Sequence, residues 1–274
     1  ITGATGAGHG GSGGSGEGQA LVGRPYDDLY EPYLFGSAGG SGLEDDDEHG
    51  GRGGGVLWFN VTNLIQIDGL VSANAADAEV KYSGGGAGGA IWMHCNTFKG
   101  TGNITSHGGA GYFDVDPDTL VPIDDPPNRS GGGGAGGRVA IYLVNNATFT
   151  GRMYAAGGPS LREAGGPGTV FVYHMVHTHR TLIVDNDNQA PLQSRIDDYE
   201  DLSKDHARAW ILSESGNHSF ANGNHSFHFE ELQIYGSAHL AVVTEPVHTD
   251  VELFFETMIG DHTGVVHLGR NQEM

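Results

Sequence analysis

A glycine hexapeptide, GGGAGG, occurs at residues 84–89 and again at 132–137, and each copy is closely followed by an apolar run. The first leads into Ala90-Ile91-Trp92-Met93 and the second into Val139-Ala140-Ile141-Tyr142. Phe98, Gly100, Ile104 and Gly108-Gly109 then follow the first copy in the order in which Phe149, Gly151, Met153 and Gly157-Gly158 follow the second. Looser copies flank them, with Gly53-Gly54-Gly55 before Val56-Leu57-Trp58-Phe59 and Gly165-Gly166-Pro167-Gly168 before Val170-Phe171-Val172-Tyr173. A unit that returns every roughly 30 to 50 residues constrains the fold severely, because one unit cannot bury its apolar face alone and must stack on the next.

The runs are rich in Val, Ile, Phe, Tyr and Trp and are bounded by glycine, with no helical periodicity between them, so they read as strands. Two or three strands per unit, joined at glycine corners that tolerate positive φ and close backbone approach, predict an all-β chain folded as a parallel β-helix, a β-solenoid. The expected organisation is a glycine-rich N-terminal segment with a Tyr-rich and acidic insertion over 1–52, glycine-rich β-helix repeats over 53–185, and a continuing solenoid or packed second β region over 186–274. Residues 23–50, 75–83, 112–130 and 160–164 read as insertions that emerge from one side. Low-complexity residues 1–20 offer almost nothing to bury and read as a linker or as turns packed on a neighbour.

The chain holds 48 glycines in 274 residues without the strict third-position period of collagen. Its net charge of −21, with only 13 Lys and Arg, excludes a nucleic-acid partner and disfavours anionic membrane surfaces. No apolar run approaches the length of a membrane span. One cysteine, Cys95, rules out an internal disulfide framework and reads as an inward-facing core residue rather than a nucleophile. Against that, six Asn-x-Ser/Thr sequons stand at Asn60, Asn103, Asn128, Asn146, Asn217 and Asn224, where composition predicts roughly 1.6. The excess favours a secreted, cell-surface glycoprotein bearing N-linked glycans.

Acidic clusters at 45–48, 114–118 and 185–188 supply hard oxygen ligands without EF-hand spacing, and Asp185 with Asp187 is the best Ca2+ candidate, in a turn that follows a strand. His177-Thr178-His179 would place two imidazoles on one face of a strand, a pair short of a transition-metal site. The carboxylates of the strands, Asp68 and Glu230-Glu231, read as surface groups. No phosphate-loop motif occurs, and cations are too sparse for a polysaccharide lyase, so the chain is not expected to be an enzyme. Tyr26, Tyr30, Tyr33 and Phe35 are the expected intersubunit contact, since aromatic residues concentrate at interface cores.

GGGAGGAIWMHC and GGGGAGGRVAIYL, with the glycine corners that follow, resemble the glycine-rich parallel β-helix repeats of secreted eukaryotic surface proteins, including mastigoneme-type extracellular fibre proteins. The likeness covers 53–185, and the cysteine-rich modules of such proteins are lacking. It implies a structural, self-assembling, glycosylated role and carries over no catalytic residue. The chain begins in a glycine tract and ends after a strand-like run without caps, so it reads as a part of a longer protein or as a subunit whose ends neighbours cover. The expected function is a filament or surface-coat subunit that stacks head to tail on further copies of itself. The alternatives are a Ca2+-dependent or carbohydrate-binding adhesin and, behind it, a β-helix enzyme acting on polysaccharide.

Overall fold

A computed structural model describes residues 3–16, 22–42, 49–113, 130–190, 208–212, 226–243 and 252–268. The chain is all-β, with no helix among these residues and mostly parallel sheets. The main sheet holds eight strands: β1 (Val56–Asn60), β2 (Leu64–Gln66), β4 (Ala90–Gly100), β6 (Arg138–Phe149), β8 (Thr169–His174), β9 (His179–Asp185), β11 (Ser226–Tyr235) and β13 (Glu252–Gly260). A second sheet orders β3 (Leu70–Ser72), β5 (Asn103–Thr105) and β7 (Arg152–Tyr154). A third orders β10 (Ala209–Leu212), β12 (His239–Val243) and β14 (Val265–Leu268).

Parallel strands buried on both faces read as continuous apolar runs, and VAIYLV in β6 is such a run. Ile91, Met93, Cys95, Val139, Ile141, Leu143 and Val170 turn to one face, where they meet Ile104, Val71 and Met153 of the second sheet. Trp92, Ala140, Tyr142, Phe171, Leu182 and Leu232 turn to the other, where they meet Leu29, Tyr30 and the third sheet through Ala209, Ile211, Leu240 and Val242. Each fully buried side chain of this size contributes about 1.5–3 kcal/mol. A bulge sets Asn96 of β4 against Val144 and Asn145 of β6, between the pairs Cys95↔Leu143 and Thr97↔Asn146. It shifts the alternation so that Phe98 stays on the face of Ile91, Met93 and Cys95.

The sheet reverses once. β8 and β9 are antiparallel, with His174 opposite His179, while every other paired strand is parallel to its neighbour. Residues 175–178 therefore form a hairpin turn, with Thr178 at φ 50°, and the strand expected at His177-Thr178-His179 begins only at His179. Beyond the reversal the chain pairs β9, β11 and β13 in the main sheet and β10, β12 and β14 in the third, with Phe227 on Leu253 and Leu240 on Val266.

The glycine runs are not positive-φ corners. Among the described glycines only Gly100 (φ 126°) and Gly236 (φ 61°) adopt positive φ. Instead, successive residues of a run donate to three neighbours in rotation. Gly131, Gly134 and Gly137 donate to Tyr112, Gly109 and Ser106; Gly132 and Ala135 donate to Ala4 and Ala7; Gly133 and Gly136 donate to Glu163 and Gly166. Residues 84–89 repeat the rule, donating in turn to 37–40, 132–135 and 73–76. A partner that returns every third residue is the mark of an extended helix with three residues per turn, of the polyproline II type, here bundled through its backbone hydrogen bonds.

Segments that read as insertions or linker belong to this bundle. Residues 3–16 are largely buried in it; Ala78 N–H of one expected insertion donates to Ala110 O, and Glu163 O of another accepts the Gly133 N–H. Glycine is required because the helices touch through their backbones. A Cβ on Gly134 would stand 1.8 Å from the Gly86 carbonyl oxygen, and one on Gly136 would stand 1.8 Å from that of Ala155. The single alanine of each hexapeptide, Ala87 or Ala135, is fully buried.

Gly134→Ala is expected to cost about 3 kcal/mol, at the upper end of overpacking. Gly55→Ala, where a Cβ meets nothing within 4 Å, should cost less than about 1 kcal/mol. Urea unfolding of the two variants beside the parent checks this; equal losses would mean that backbone contact does not set the bundle spacing.

Candidate functional site

The main sheet ends at β1 on one side and at β13 on the other, and each of these strands pairs with a single main-sheet neighbour, β4 or β11. At the first end Trp58 stacks on Trp92 with ring centroids 4.1 Å apart, while 51% of its surface stays exposed. Phe59, Leu64 and Leu70 lie exposed beside it on β1, β2 and β3. Gly36 N–H donates to Gly54 O and Gly39 N–H to Gly51 O, which runs 36–39 antiparallel to the approach to β1 and brings Tyr33, Leu34 and Phe35 to the same end. At the other end Phe254, Phe255, Met258 and Ile259 of β13 and Val265 of β14 are exposed. Ile234, Met258, Ile259, Gly260, His262 and Gly264 line a shallow open depression there. Of the fourteen large apolar side chains exposed among the described residues, only Leu161 and Val176 lie away from these two ends.

The 26–35 loop is held by two aspartates. Asp27, at φ 70°, accepts the N–H groups of Asp28, Tyr33 and Leu34, and Asp28 accepts those of Tyr30 and Glu31. That fold drives Leu29 and Tyr30 into the core, where Tyr30 meets Phe171 edge-on at 4.9 Å and its carbonyl accepts the Tyr142 hydroxyl at 3.0 Å. Burial pushes the Tyr30 and Tyr142 phenols well above the usual range. Of the four aromatic residues expected at an intersubunit contact, Tyr30 is therefore unavailable in this fold, being only 2% exposed. Tyr26 is half-buried, its hydroxyl donating to Phe35 O at 2.6 Å; Tyr33 and Phe35 are the exposed pair.

Two sequon asparagines are exposed: Asn60 on β1, with Oδ1 3.2 Å from His94 Nδ1, and Asn103 on β5. The backbone of Asn146 lies in β6, and its side chain is outside the described residues, as are Asn128, Asn217 and Asn224. The turn after β9 forms with Asp187 at φ 48° and Asn188 at φ 62°, and the Asp185 carboxylate accepts the Asp187 N–H at 2.9 Å. Asp185 thus serves its own turn, and among the described residues no group of three or more His, Cys, Asp or Glu is arranged to hold a metal ion. Cys95 is buried, and burial raises its thiol to about 11. Glu230 is engaged by Arg180, whose Nη2 donates to Oε1 at 2.6 Å, while Asp68 accepts from Gln66 and the Thr101 N–H. No periodic pattern marks the fully buried Asn186, which accepts the Gly157 N–H and donates to Gly165 O, tying the turn to the glycine bundle.

Comparisons with protein-family models, with curated proteins and with solved structures found no match.

The β13 end is tied to the rest by a pair of buried histidines. His239 of β12 and His267 of β14 stand with Nδ1 and Nε2 2.8 Å apart and their rings stacked at 5.0 Å. A hydrogen bond between two imidazole nitrogens uses one hydrogen, so neither ring can gain another there without breaking it. Burial, with the Arg208 guanidinium nearby, holds both rings down at about 4. A histidine depressed in the folded state stabilises it fully above the ordinary imidazole range and loses that contribution as pH falls toward the folded value. Stability measured by urea unfolding should therefore drop between pH 6.5 and pH 4. Replacing both His239 and His267 by Leu should make that drop shallower; an unchanged slope would remove the pair from the acid response.

Proposed function

We propose that the chain is a β-solenoid subunit of an extracellular, N-glycosylated filament or surface coat, assembled head to tail. The observation that carries this reading is the confinement of exposed large apolar side chains, Leu161 and Val176 apart, to the two ends of the strand order, on β1, β2, β3 and residues 33–35 at one and on β13 and β14 at the other. Open edges are templates for further pairing, and proteins that remain monomeric ordinarily blunt them with charge, proline or a covering segment. Two different edges that meet make a heterologous contact, and such contacts propagate unless rotation closes a ring. The regular parallel registers on either side of the hairpin, with Ile91 on Val139 before it and Phe227 on Leu253 after it, support a solenoid whose coils present such edges.

Glycans fit the same reading as regulators of which surfaces stay free. Asn103 faces out from the second sheet, and a glycan there would shield a flank. Asn60 stands on the β1 edge itself, so a filament that grows through this edge requires Asn60 to stay bare while glycans sit at sites such as Asn103. The exposed Tyr33, Leu34 and Phe35 favour one second reading, an adhesin that uses this aromatic cluster against a partner.

The test uses the chain secreted from a eukaryotic host with its glycans, followed by sedimentation and electron microscopy. The parent should form linear polymers at micromolar concentration. Trp58→Asp at one end or Met258→Asp at the other should each cap growth, shifting the critical concentration at least about tenfold while the melting temperature moves by no more than about 4 °C. A mixture of the two capped variants should stop at dimers joined through their intact ends. Monomers of the parent at every concentration would overturn the filament reading and turn attention to the aromatic cluster.

A further inference from the structure

The reversal of the main sheet gathers three imidazoles at one corner. The hairpin that joins β8 to β9 sets His174 directly opposite His179 as the last pair of the ladder, and His177 stands between them in the turn. Side chains directly opposite on an antiparallel pair share a face, with Cβ atoms about 4.5–5.5 Å apart. The His177 ring comes beside His174, its centroid 6.1 Å away and its plane tilted by 41°. Two imidazoles that share one ion through bonds of about 2.0–2.1 Å have ring centres roughly 5–6 Å apart, so the spacing is close to that of a common ligand pair.

His174 is the fixed member. Its backbone pairs with that of the buried Leu143 of β6, and its Nδ1 is closed off from water without a hydrogen-bond partner. A buried polar nitrogen in that state is destabilising, and a metal ion would satisfy its lone pair. Burial, with the His177 and His179 imidazoles beside it, holds His174 below the ordinary imidazole range, which keeps the ring in the neutral state that ligates a metal. His177 and His179 are the adaptable members, the first exposed and the second with 41% of its side chain exposed. As they stand the three rings do not converge on one point, and turning the two exposed rings about their side-chain bonds is the change that an arriving ion requires. Glu231 Oε2 stands 3.6 Å from His179 Nε2, in the place where a metal-bound histidine ordinarily presents its outer nitrogen to a carboxylate. The neighbouring cation, Arg180, turns to the other face with Leu182 and is engaged by Glu230.

We propose that this hairpin is a transition-metal site in which His174, His177 and His179 bind one divalent ion of the zinc or copper class. Imidazole ligands suit these ions, whereas Ca2+ takes oxygen. His177-Thr178-His179 reads in the sequence as two ligands on one strand; the hairpin places them in different elements and supplies the third from across the turn. The bound ion clips the hairpin where the sheet reverses, fastening the strands before the reversal to those after it. The site needs neither polymerisation nor glycans.

Zn2+ titrated into the full chain at pH 7.5, followed by calorimetry and by NMR of the imidazole resonances, tests the proposal. One equivalent should bind with a Kd of about 10 μM or tighter, shift His174, His177 and His179 together, and raise the melting temperature. His174→Gln and His179→Gln should each weaken binding at least tenfold, while His262→Asn, at the exposed corner between β13 and β14, should leave it unchanged. Binding that fails to saturate up to about 1 mM Zn2+ would overturn the proposal, as would shifts confined to other histidines such as the His239–His267 pair or a Kd that survives His174→Gln. The spectra of the parent decide the matter even if a variant does not fold.

Discussion

The contact on which the structure rests is that of one backbone against another, with no side chain between. In the glycine bundle a carbonyl oxygen occupies the space where a Cβ would be, as the Gly86 carbonyl does beside Gly134. This closeness lets each helix donate hydrogen bonds in three directions, so buried peptide groups are satisfied without a sheet or an α-helix. The bundle then sets where the apolar strands begin. Residues 84–89 deliver Ala90 into β4 and residues 131–137 deliver Arg138 into β6, in register with one another. The core is layered on a frame with almost no side chains of its own.

Two buried histidine sites tie separate parts of the molecule together. The His239–His267 pair shares one hydrogen beside Arg208 and excludes another. His9 lies between the Gly88 carbonyl and the Asp27 carboxylate. One ties the last described coil to its neighbour, and the other ties the loop near the first strand to the glycine bundle.

The strands and their parallel stacking were legible because Val, Ile, Phe and Tyr at fixed places after each glycine hexapeptide leave a pattern to read. The threefold helices were not, since a helix built of glycine has no side-chain periodicity, and glycine reads by habit as a corner. For the same reason residues 3–16 read as a linker although they lie inside the molecule. Tyr30 and Tyr33 are three residues apart in one aromatic phrase, and only the turns made by Asp27 and Asp28 decide that the first is core and the second surface. His177 looked like a strand residue because its neighbours are β-formers; the reversal between β8 and β9 has no glycine or proline to announce it. His9 did have a signal, being a lone titratable group in a tract otherwise almost bare of side chains.

The partners of residues 3–16 bear on the order in which the molecule can be made. Ala4 donates to Tyr82, Gly10 to Gly136, Gly14 to Gly133 and Ser12 to Arg208, so the tract is enclosed by segments drawn from most of the chain. The strands of the main sheet, by contrast, are laid down in nearly their order along the chain, each on the edge left by the one before. During synthesis the sheet can grow as it emerges, but residues 3–16 have no complete seat until Arg208 has been made. Closure of so long a loop comes late and slowly, because its entropy must be lost before its contacts form. The tract is a keystone, cut before the strands it closes and set after them.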